Sequence, residues 1–250
     1  MHRFYIPSSR CRGDRMVLGE GESHHATRVL RVESGDSVEV LDGMGRQYSC
    51  RVIEARKSVV TLTVVSERST PKPSFNVTLV AGIPKGQLFD DMVEQAVELR
   101  VSRIIPLVTE RGNVRFDPAS GRAKQEKWQI CAIEAIKQCG SLWLPDVQLP
   151  TSFKQCLDRI KPQEVAIVGS LHSGTVEVGQ VLDEARDRKA CAVSIWLGPE
   201  GDFTVTEMQQ LIARGAKPVT LGPLVLRCAT AALSLLSVVT HDLRRKPLPL

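Results

Sequence analysis

Up to about residue 70, apolar side chains fall at alternate positions in short runs broken by Gly and Asp. Val38 and Val40 alternate after a Ser34-Gly35-Asp36 turn, and Asp42 to Gly45 supplies another turn. Tyr48, Cys50 and Val52 then alternate before a β-branched run from Val59 to Val65. Period-two runs with turn residues between them predict strands, and several short ones in succession predict a small barrel or sandwich. The stretch from Ser69 to Ser74, with Pro71 and Pro73, reads as a linker. It divides the chain into a domain over 1–70, a linker at 71–74 and a larger domain over 75–250.

Beyond the linker the period changes. Asn76 to Ala81 reads as a buried strand, followed by a helix from about Gln87 with Leu88, Met92, Ala96 and Leu99 along one stripe. Ile104–Val108 reads as the next strand. A helix over Lys124 to Cys139 follows, its apolar face formed by Trp128, Cys131, Ala132, Ala135, Ile136 and Cys139. Further strands are expected at Val165–Val168, Ala192–Leu197 and Pro218–Leu221. Between the last two, Thr204 and Glu207 form a capping box and Gly215 a stop. Strands alternating with helices predict an α/β fold, with a largely parallel sheet covered on both faces.

Composition narrows the class. The chain is 42% hydrophobic and 24% charged, with only six Phe, three Trp and two Tyr, so its core must be mainly aliphatic. The formal charge of +5 suits a polyanionic partner without defining one. Arginines gather at 3, 10, 12, 15, 28 and 31, and basic residues again at Arg244, Arg245 and Lys246. The seven cysteines, Cys191 among them, include no CxxC pair and read as reduced thiols of a cytoplasmic protein rather than a disulfide scaffold. The apolar run Ala231–Val239 is about half of the ~20 residues a bilayer span needs, so no membrane association is expected.

The candidate chemistry sits at strand ends. Leu197-Gly198-Pro199-Glu200-Gly201-Asp202-Phe203 and Leu221-Gly222-Pro223-Leu224-Val225-Leu226-Arg227 each follow a predicted strand and precede a helix. Ligands of open parallel sheets bind at that edge, and glycine lets a backbone approach them closely. One Gly-Pro pair is an ordinary turn, whereas two at successive strand ends favour a ligand site. GxGxxG and GxxxxGK[ST] are absent, which disfavours a dinucleotide dehydrogenase or a P-loop enzyme, and neither GxSxG nor HExxH occurs. The five histidines, at 2, 24, 25, 172 and 241, lack metal-ligand spacing, so no metal is expected. In the run ATRVLR that follows His24-His25, alternate residues should face opposite ways, with at least one of the two histidines packing or hydrogen bonding. Glu94 and Glu98, one helical turn apart, read as a solvated edge.

These segments, taken in order, resemble the bacterial 16S ribosomal RNA (uracil-N3) methyltransferases of the RsmE type, within the SPOUT superfamily. The resemblance is carried by His24-His25-Ala26-Thr27-Arg28-Val29-Leu30-Arg31, Lys85-Gly86, Glu94 to Leu99, Ile104 to Arg111, Trp128, Glu134-Ala135 and Gln138-Cys139-Gly140. The two glycine loops are similar to that family's GPEGGF and LGxRILRxETA motifs. The resemblance implies an N-terminal PUA-like β-barrel that grips RNA and a SPOUT-type domain with a C-terminal deep trefoil knot. It implies S-adenosyl-L-methionine held by Gly169, Leu197, Gly198, Pro199, Gly201, Leu221, Gly222 and Leu226. Arg227 is then the candidate catalytic cation, and Arg3, Arg28, Arg31 and Lys85 the phosphate contacts. The implied partners are 16S rRNA, free or in the small ribosomal subunit, and a second copy in a homodimer.

The sequence also departs from the pattern. Asp202 stands at a glycine position, Leu224 at an arginine position, and Cys228-Ala229-Thr230 where the family reads Thr-Glu-Thr. Ser141 replaces an arginine and Arg100 a glycine. The alternative implied by these changes is a catalytically weakened RNA-binding or ribosome-assembly protein.

Overall fold

Alternation over residues 37–69 produces an antiparallel meander. The computed structural model describes residues 1–112, 117–161, 164–171, 174–190 and 192–245, so His172, Cys191 and Lys246 lie outside the described residues. The chain divides into two compact units, Met1–Lys72 with Ile133–Leu144, and Pro73–Ala132 with Pro145–Leu250.

In the first unit the strands are β1 (His2–Tyr5), β2 (Arg15–Val17), β3 (Ser37–Leu41), β4 (Arg46–Arg56) and β5 (Val59–Ser69). They form one sheet in the order β1-β3-β4-β5-β2, with β1 parallel to β3 and the remaining pairs antiparallel. Val38 pairs with Cys50, Val40 with Tyr48 and Val52 with Leu62, so the alternating apolar positions meet on one buried face. The β3–β4 turn is built by Asp42, whose Oδ1 accepts from the Met44 and Arg46 amides at 2.7 and 2.9 Å. Ser69, read as linker, is the last residue of β5.

The basic run after His24 is helical, which corrects the expectation of alternating faces. Helix α1 (Glu20–His24) continues into a π-helical turn over His25–Val29, closed by Leu30 N–H donating to His25 O at 3.1 Å. Its inward positions are Ser23 and Ala26, three apart, and both are fully buried. The Ser23 hydroxyl donates to Leu18 O and accepts from the Val60 amide, each at 3.2 Å. His24 is exposed and His25 half-buried.

The second unit is built on β6 (Asn76–Gly82), α2 (Leu88–Glu98), β7 (Arg103–Val108), the part of α3 (Pro118–Cys139) up to Ala132, β8 (Asp146–Val147), β9 (Thr151–Ser152) and α4 (Phe153–Leu157), the end of α3 from Ile133 belonging to the first unit. It continues with β10 (Glu164–Gly169), α5 (Val178–Asp187), β11 (Ala192–Leu197), α6 (Val205–Ala213), β12 (Lys217–Val219) and α7 (Cys228–Arg245). All pairings are parallel, in the order β12-β10-β11-β6-β7-β8, with β9 also on β7. Proline is tolerated at the two places it occurs. Pro218 lies on the edge strand β12, and Pro106 falls in the gap where β8 has ended at Ile104 and β9 has yet to begin at Leu107.

Helices α4 and α6 cover one face of the sheet through Phe153, Leu157, Met208 and Leu211, packed on Val80, Ile105 and Trp196. Helices α2, α5 and α7 occupy the other, where Leu79, Ile195 and Ile167 are buried. The buried stripe of α2 runs through Phe89, Met92, Val93, Ala96 and Val97, while Leu88 is exposed. Phe89 takes the inward place because its ring packs on Trp128, with centroids 4.5 Å apart. Helix α3 starts six residues before the expected Lys124, because Asp117 caps it by accepting the Ala119 and Ser120 amides at 2.9 and 3.0 Å. Among the described residues no helix is long and apolar enough to cross a membrane.

Candidate active site

Strands β6, β10, β11 and β12 bring Gly82, Gly169, Leu197 and Val219 to the same, carboxyl edge of the sheet. The chain is so close there that three glycines are required. A Cβ on Gly82 would lie 2.4 Å from Pro199 N, one on Gly169 2.8 Å from a Leu197 methyl, and one on Gly198 2.9 Å from Asp202 Cα. Gly82 thus belongs to the same junction as the predicted residues Gly169, Leu197, Gly198 and Pro199. Sequence reading missed it; the available signal was a glycine closing a buried strand.

After β11 the Asp202 amide donates to Pro199 O at 2.8 Å, closing a tight turn. Asp202 takes φ +57°, the left-handed conformation the glycine of the related motif would adopt freely. Its Oδ1 accepts from the Phe203 amide at 2.7 Å, and Phe203 is buried against Phe153. The loop is braced from the segments that follow β7 and β6. Arg111 Nη1 donates to Gly201 O at 3.1 Å, and Glu200 Oε1 accepts the Lys85 amide at 3.1 Å, leaving the Lys85 side chain exposed.

The loop after β12 is of a different kind. Gly222 has φ +102° and open space where a Cβ would stand, and its amide donates to Thr220 Oγ1 at 3.1 Å. Leu221 and Leu226 are half-buried, whereas Leu224 and Val225 are 72% and 77% exposed. Among the described residues the amides of Leu221, Leu224, Val225 and Leu226 make no backbone hydrogen bond. A loop with spare main-chain donors beside apolar side chains fits a cofactor read by its base edge and flat ring. S-adenosyl-L-methionine has that form, so the residues present fit it.

Arg227 precedes α7, with its carbonyl accepting from Ala231 N–H at 2.9 Å, and its exposed side chain makes no ion pair among the described residues. Cys228, half-buried, has its thiol pushed up to about 12 by burial, reinforced by the carboxylates of Glu200 and Asp202. Those charges place the start of α7 beside the Gly198–Asp202 loop. A separate cleft of about 80 Å³, lined by Thr78, Arg103, Gln148, Arg159 and Glu164 among others, contains none of the residues of the glycine loops.

The predicted phosphate contacts are dispersed. Arg28 and Arg31 are exposed in the first unit. Arg3 is engaged internally: its Nε pairs with Glu39 at 3.0 Å, and its Nη1 donates to the Lys137 and Gln138 carbonyls at 3.1 and 3.0 Å. Those bonds cap the last turn of α3, a job that leaves little of this guanidinium for phosphate.

Comparison with known proteins assigns the class. Residues 70–240 match the RNA methyltransferase domain family, and residues 18–65 the RNA methyltransferase PUA domain. The ribosomal RNA small subunit methyltransferase E of Aquifex aeolicus is 31% identical over 96% of this chain and 100% of its own length. Its Synechocystis counterpart is 31% identical over 86% of this chain and 69% of its own. A crystal structure of the Neisseria gonorrhoeae ribosomal RNA small subunit methyltransferase E bound to S-adenosyl methionine superposes with a TM-score of 0.86 at 27% identity, covering 97% of this chain and 98% of that one. The chain belongs to the ribosomal RNA small subunit methyltransferase E family.

Proposed function

We propose that this protein transfers a methyl group from S-adenosyl-L-methionine to N3 of one uridine in 16S rRNA, acting as a cytoplasmic homodimer on the rRNA or the assembled small subunit. The observation that carries the reading is the glycine-built junction of Gly82, Gly169 and Gly198 at the carboxyl edge of the sheet, in a chain whose relative of the same fold binds that cofactor. In this reading the unit over 1–70 is a PUA-like barrel that grips RNA, 71–74 is a linker, and 75–250 is the methyltransferase domain. Its C-terminal part forms a deep trefoil knot. The path supports this, since β11 inserts between β10 and β6 and α7 then returns onto β6, β11, α2 and α5.

Bound S-adenosyl-L-methionine supplies an electrophilic methyl group. The chain's part is to bind, orient and neutralise. Gly169, Leu197, Gly198, Pro199 and Gly201 form one wall by backbone approach, and Leu221, Gly222 and Leu226 the other through apolar contact and spare amides. Arg227, exposed at the start of α7 and without an ion pair among the described residues, stabilises negative charge on the uracil as N3 gives its proton to solvent. Arg28, Arg31 and Lys85 contact phosphates.

A second reading, a catalytically weakened RNA-binding or assembly protein, draws on Leu224, an exposed neutral side chain where the related motif carries an arginine. One experiment separates the two. Undermethylated 30S subunits are incubated with labelled cofactor and protein, and the modified base is mapped. Methyl incorporation at a single 16S uridine at N3 is expected. Cofactor binding without transfer supports the second reading, and absence of cofactor binding overturns the pocket.

A further inference from the structure

We infer that Arg111 is an RNA-contacting residue at the rim of the cofactor loop, held in place by Glu207 as a positioning residue. The inference rests on the proposed reading of this edge as the methyl-transfer site, and assigns roles to two residues that the motif resemblance left without one.

Arg111 is exposed, and its guanidinium uses one donor, Nη1, on Gly201 O at 3.1 Å. It makes no ion pair among the described residues. A guanidinium has five N–H donors in a rigid fork, so the bond to one carbonyl orients the group without neutralising it or exhausting its donors. A charged fork fixed by a single main-chain bond at a loop rim matches a phosphate diester, which such a fork can bind with two parallel hydrogen bonds. The need for a cation here is local. Glu200 and Asp202 place two carboxylates on the same loop, and a polyanion approaching it meets both. Gly201 lets Arg111 come close, since a Cβ there would lie 3.3 Å from Arg111 Cβ.

Glu207 fixes the arginine's backbone. It is 5% exposed, and both carboxylate oxygens are spent on main chain. Oε1 accepts the Glu110 amide at 3.0 Å and Oε2 the Thr204 amide at 2.9 Å, while Thr204 Oγ1 accepts the Glu207 amide at 3.1 Å. A capping box ordinarily serves only its own helix. Here the same carboxylate also ties the turn after β7, at Glu110 one residue before Arg111, to the start of α6 just beyond Gly201. The carboxylate therefore sets the spacing across which Arg111 reaches its carbonyl.

The test is binding of full-length protein to undermethylated 30S subunits by co-sedimentation at several KCl concentrations, beside calorimetric titration of S-adenosyl-L-methionine. Arg111→Ala is expected to weaken 30S binding about tenfold and to flatten the salt dependence by about one ion, as loss of one phosphate contact does. Cofactor affinity falls less than 30S affinity does, and Arg111→Lys recovers part of the binding because it restores the charge without the fork. Glu207→Gln is expected to weaken 30S binding in the wild-type background and to add nothing in the Arg111→Ala background, whereas a merely structural role adds in both. Wild-type 30S affinity and salt slope in Arg111→Ala overturn the inference, as does a loss confined to the cofactor. Because binding is read without turnover, failure of the protein to transfer methyl refutes the proposed function separately.

Discussion

Replacing Gly82 by alanine would create the shortest Cβ contact among the glycines whose surroundings are described. The added Cβ would stand 2.4 Å from Pro199 N, 2.7 Å from Pro199 Cδ and 2.9 Å from Gly198 C. These are backbone and ring atoms, so no side chain can swing away. Restoring an ordinary carbon contact of about 3.5 Å requires β6 and the Gly198-Pro199 loop to separate by about 1 Å, and overpacking of that kind costs about 1–3 kcal/mol. If the displacement falls on the loop, cofactor affinity drops by about 5- to 150-fold, since each 1.4 kcal/mol is tenfold. The assay is calorimetric titration with S-adenosyl-L-methionine, with thermal unfolding alongside to read any cost taken by the fold. Gly179→Ala is the control: Gly179 lies in α5 with open space at its Cβ, so alanine should leave affinity unchanged and raise stability by up to about 1 kcal/mol. Wild-type affinity and melting temperature in Gly82→Ala would mean that the junction is not tight, and would refute the reasoning that makes it the cofactor wall.

Three further outcomes follow from single contacts. Lys137, 8% exposed, bridges Glu22 and Glu134 at 2.7 Å each, and Glu22 Oε2 is buried without a partner. Lys137→Met therefore strands a buried carboxylate and should cost about 3–5 kcal/mol in denaturant unfolding, with Glu22→Gln added to it restoring most of the loss. Burial already holds the Glu22 carboxyl above its ordinary value against the opposing Lys137 hydrogen bond. A raised carboxyl stabilises most below its unfolded pKa and loses that contribution as pH rises through the folded one, so the Lys137→Met deficit should be smaller at pH 4.5 than at pH 8. Cys228, its thiol pushed up to about 12 chiefly by burial, should react with iodoacetamide far more slowly than exposed Cys139 at pH 8, by mass spectrometry of the two peptides; equal rates would refute the burial of this thiol. Thr204→Ala deletes the α6 cap and should lower stability by about 1 kcal/mol, read as a melting temperature about 2–4 °C lower.

Periodicity disclosed the elements whose burial is uniform. Ala192–Leu197 is buried along nearly its whole length, and its predicted and observed bounds coincide. Burial on one side of a bent element was harder to see. The helical stretch over 20–29 buries only Ser23 and Ala26, too few positions to distinguish a helical from an alternating period, and polar Ser23 is inward because Leu18 O and the Val60 amide await its hydroxyl. In the α2 stripe Met92 and Ala96 are buried as expected, but Phe89 takes the place of Leu88, because the two are equally apolar and the choice is made by Trp128, distant in sequence. At the site, the two glycine loops could be read because glycine and proline mark turns locally. Gly82, Arg111 and Glu207 could not, since their roles arise from contacts across 90 or more residues, which no local pattern encodes.

The substitutions that set this chain apart divide along the same line. What the glycine junction requires is space and strand register, supplied by β6, β10 and β11 and by the absence of a Cβ at 82, 169 and 198. None of the departures replaces those glycines, and the one that packs on them, Asp202, has its Cα and Oδ1 2.9 Å from where a Cβ on Gly198 would lie. Asp202 adopts the left-handed turn a glycine would provide, with its own Oδ1 locked onto the next amide, so the loop keeps its path at the cost of an added negative charge. Leu224, at 72% exposure, changes the outer face of its loop and leaves the half-buried Leu221 and Leu226 as they were. On the proposed reading, then, divergence in the two loops has left the glycine junction intact and altered their RNA side, by the carboxylate gained at Asp202 and the guanidinium lost at Leu224. Under that division Asp202→Gly and Leu224→Arg should each change 30S affinity and its salt dependence, while cofactor titrations stay within about twofold of wild type. A larger shift in cofactor affinity from Leu224→Arg would place that side chain in the pocket and undo the separation.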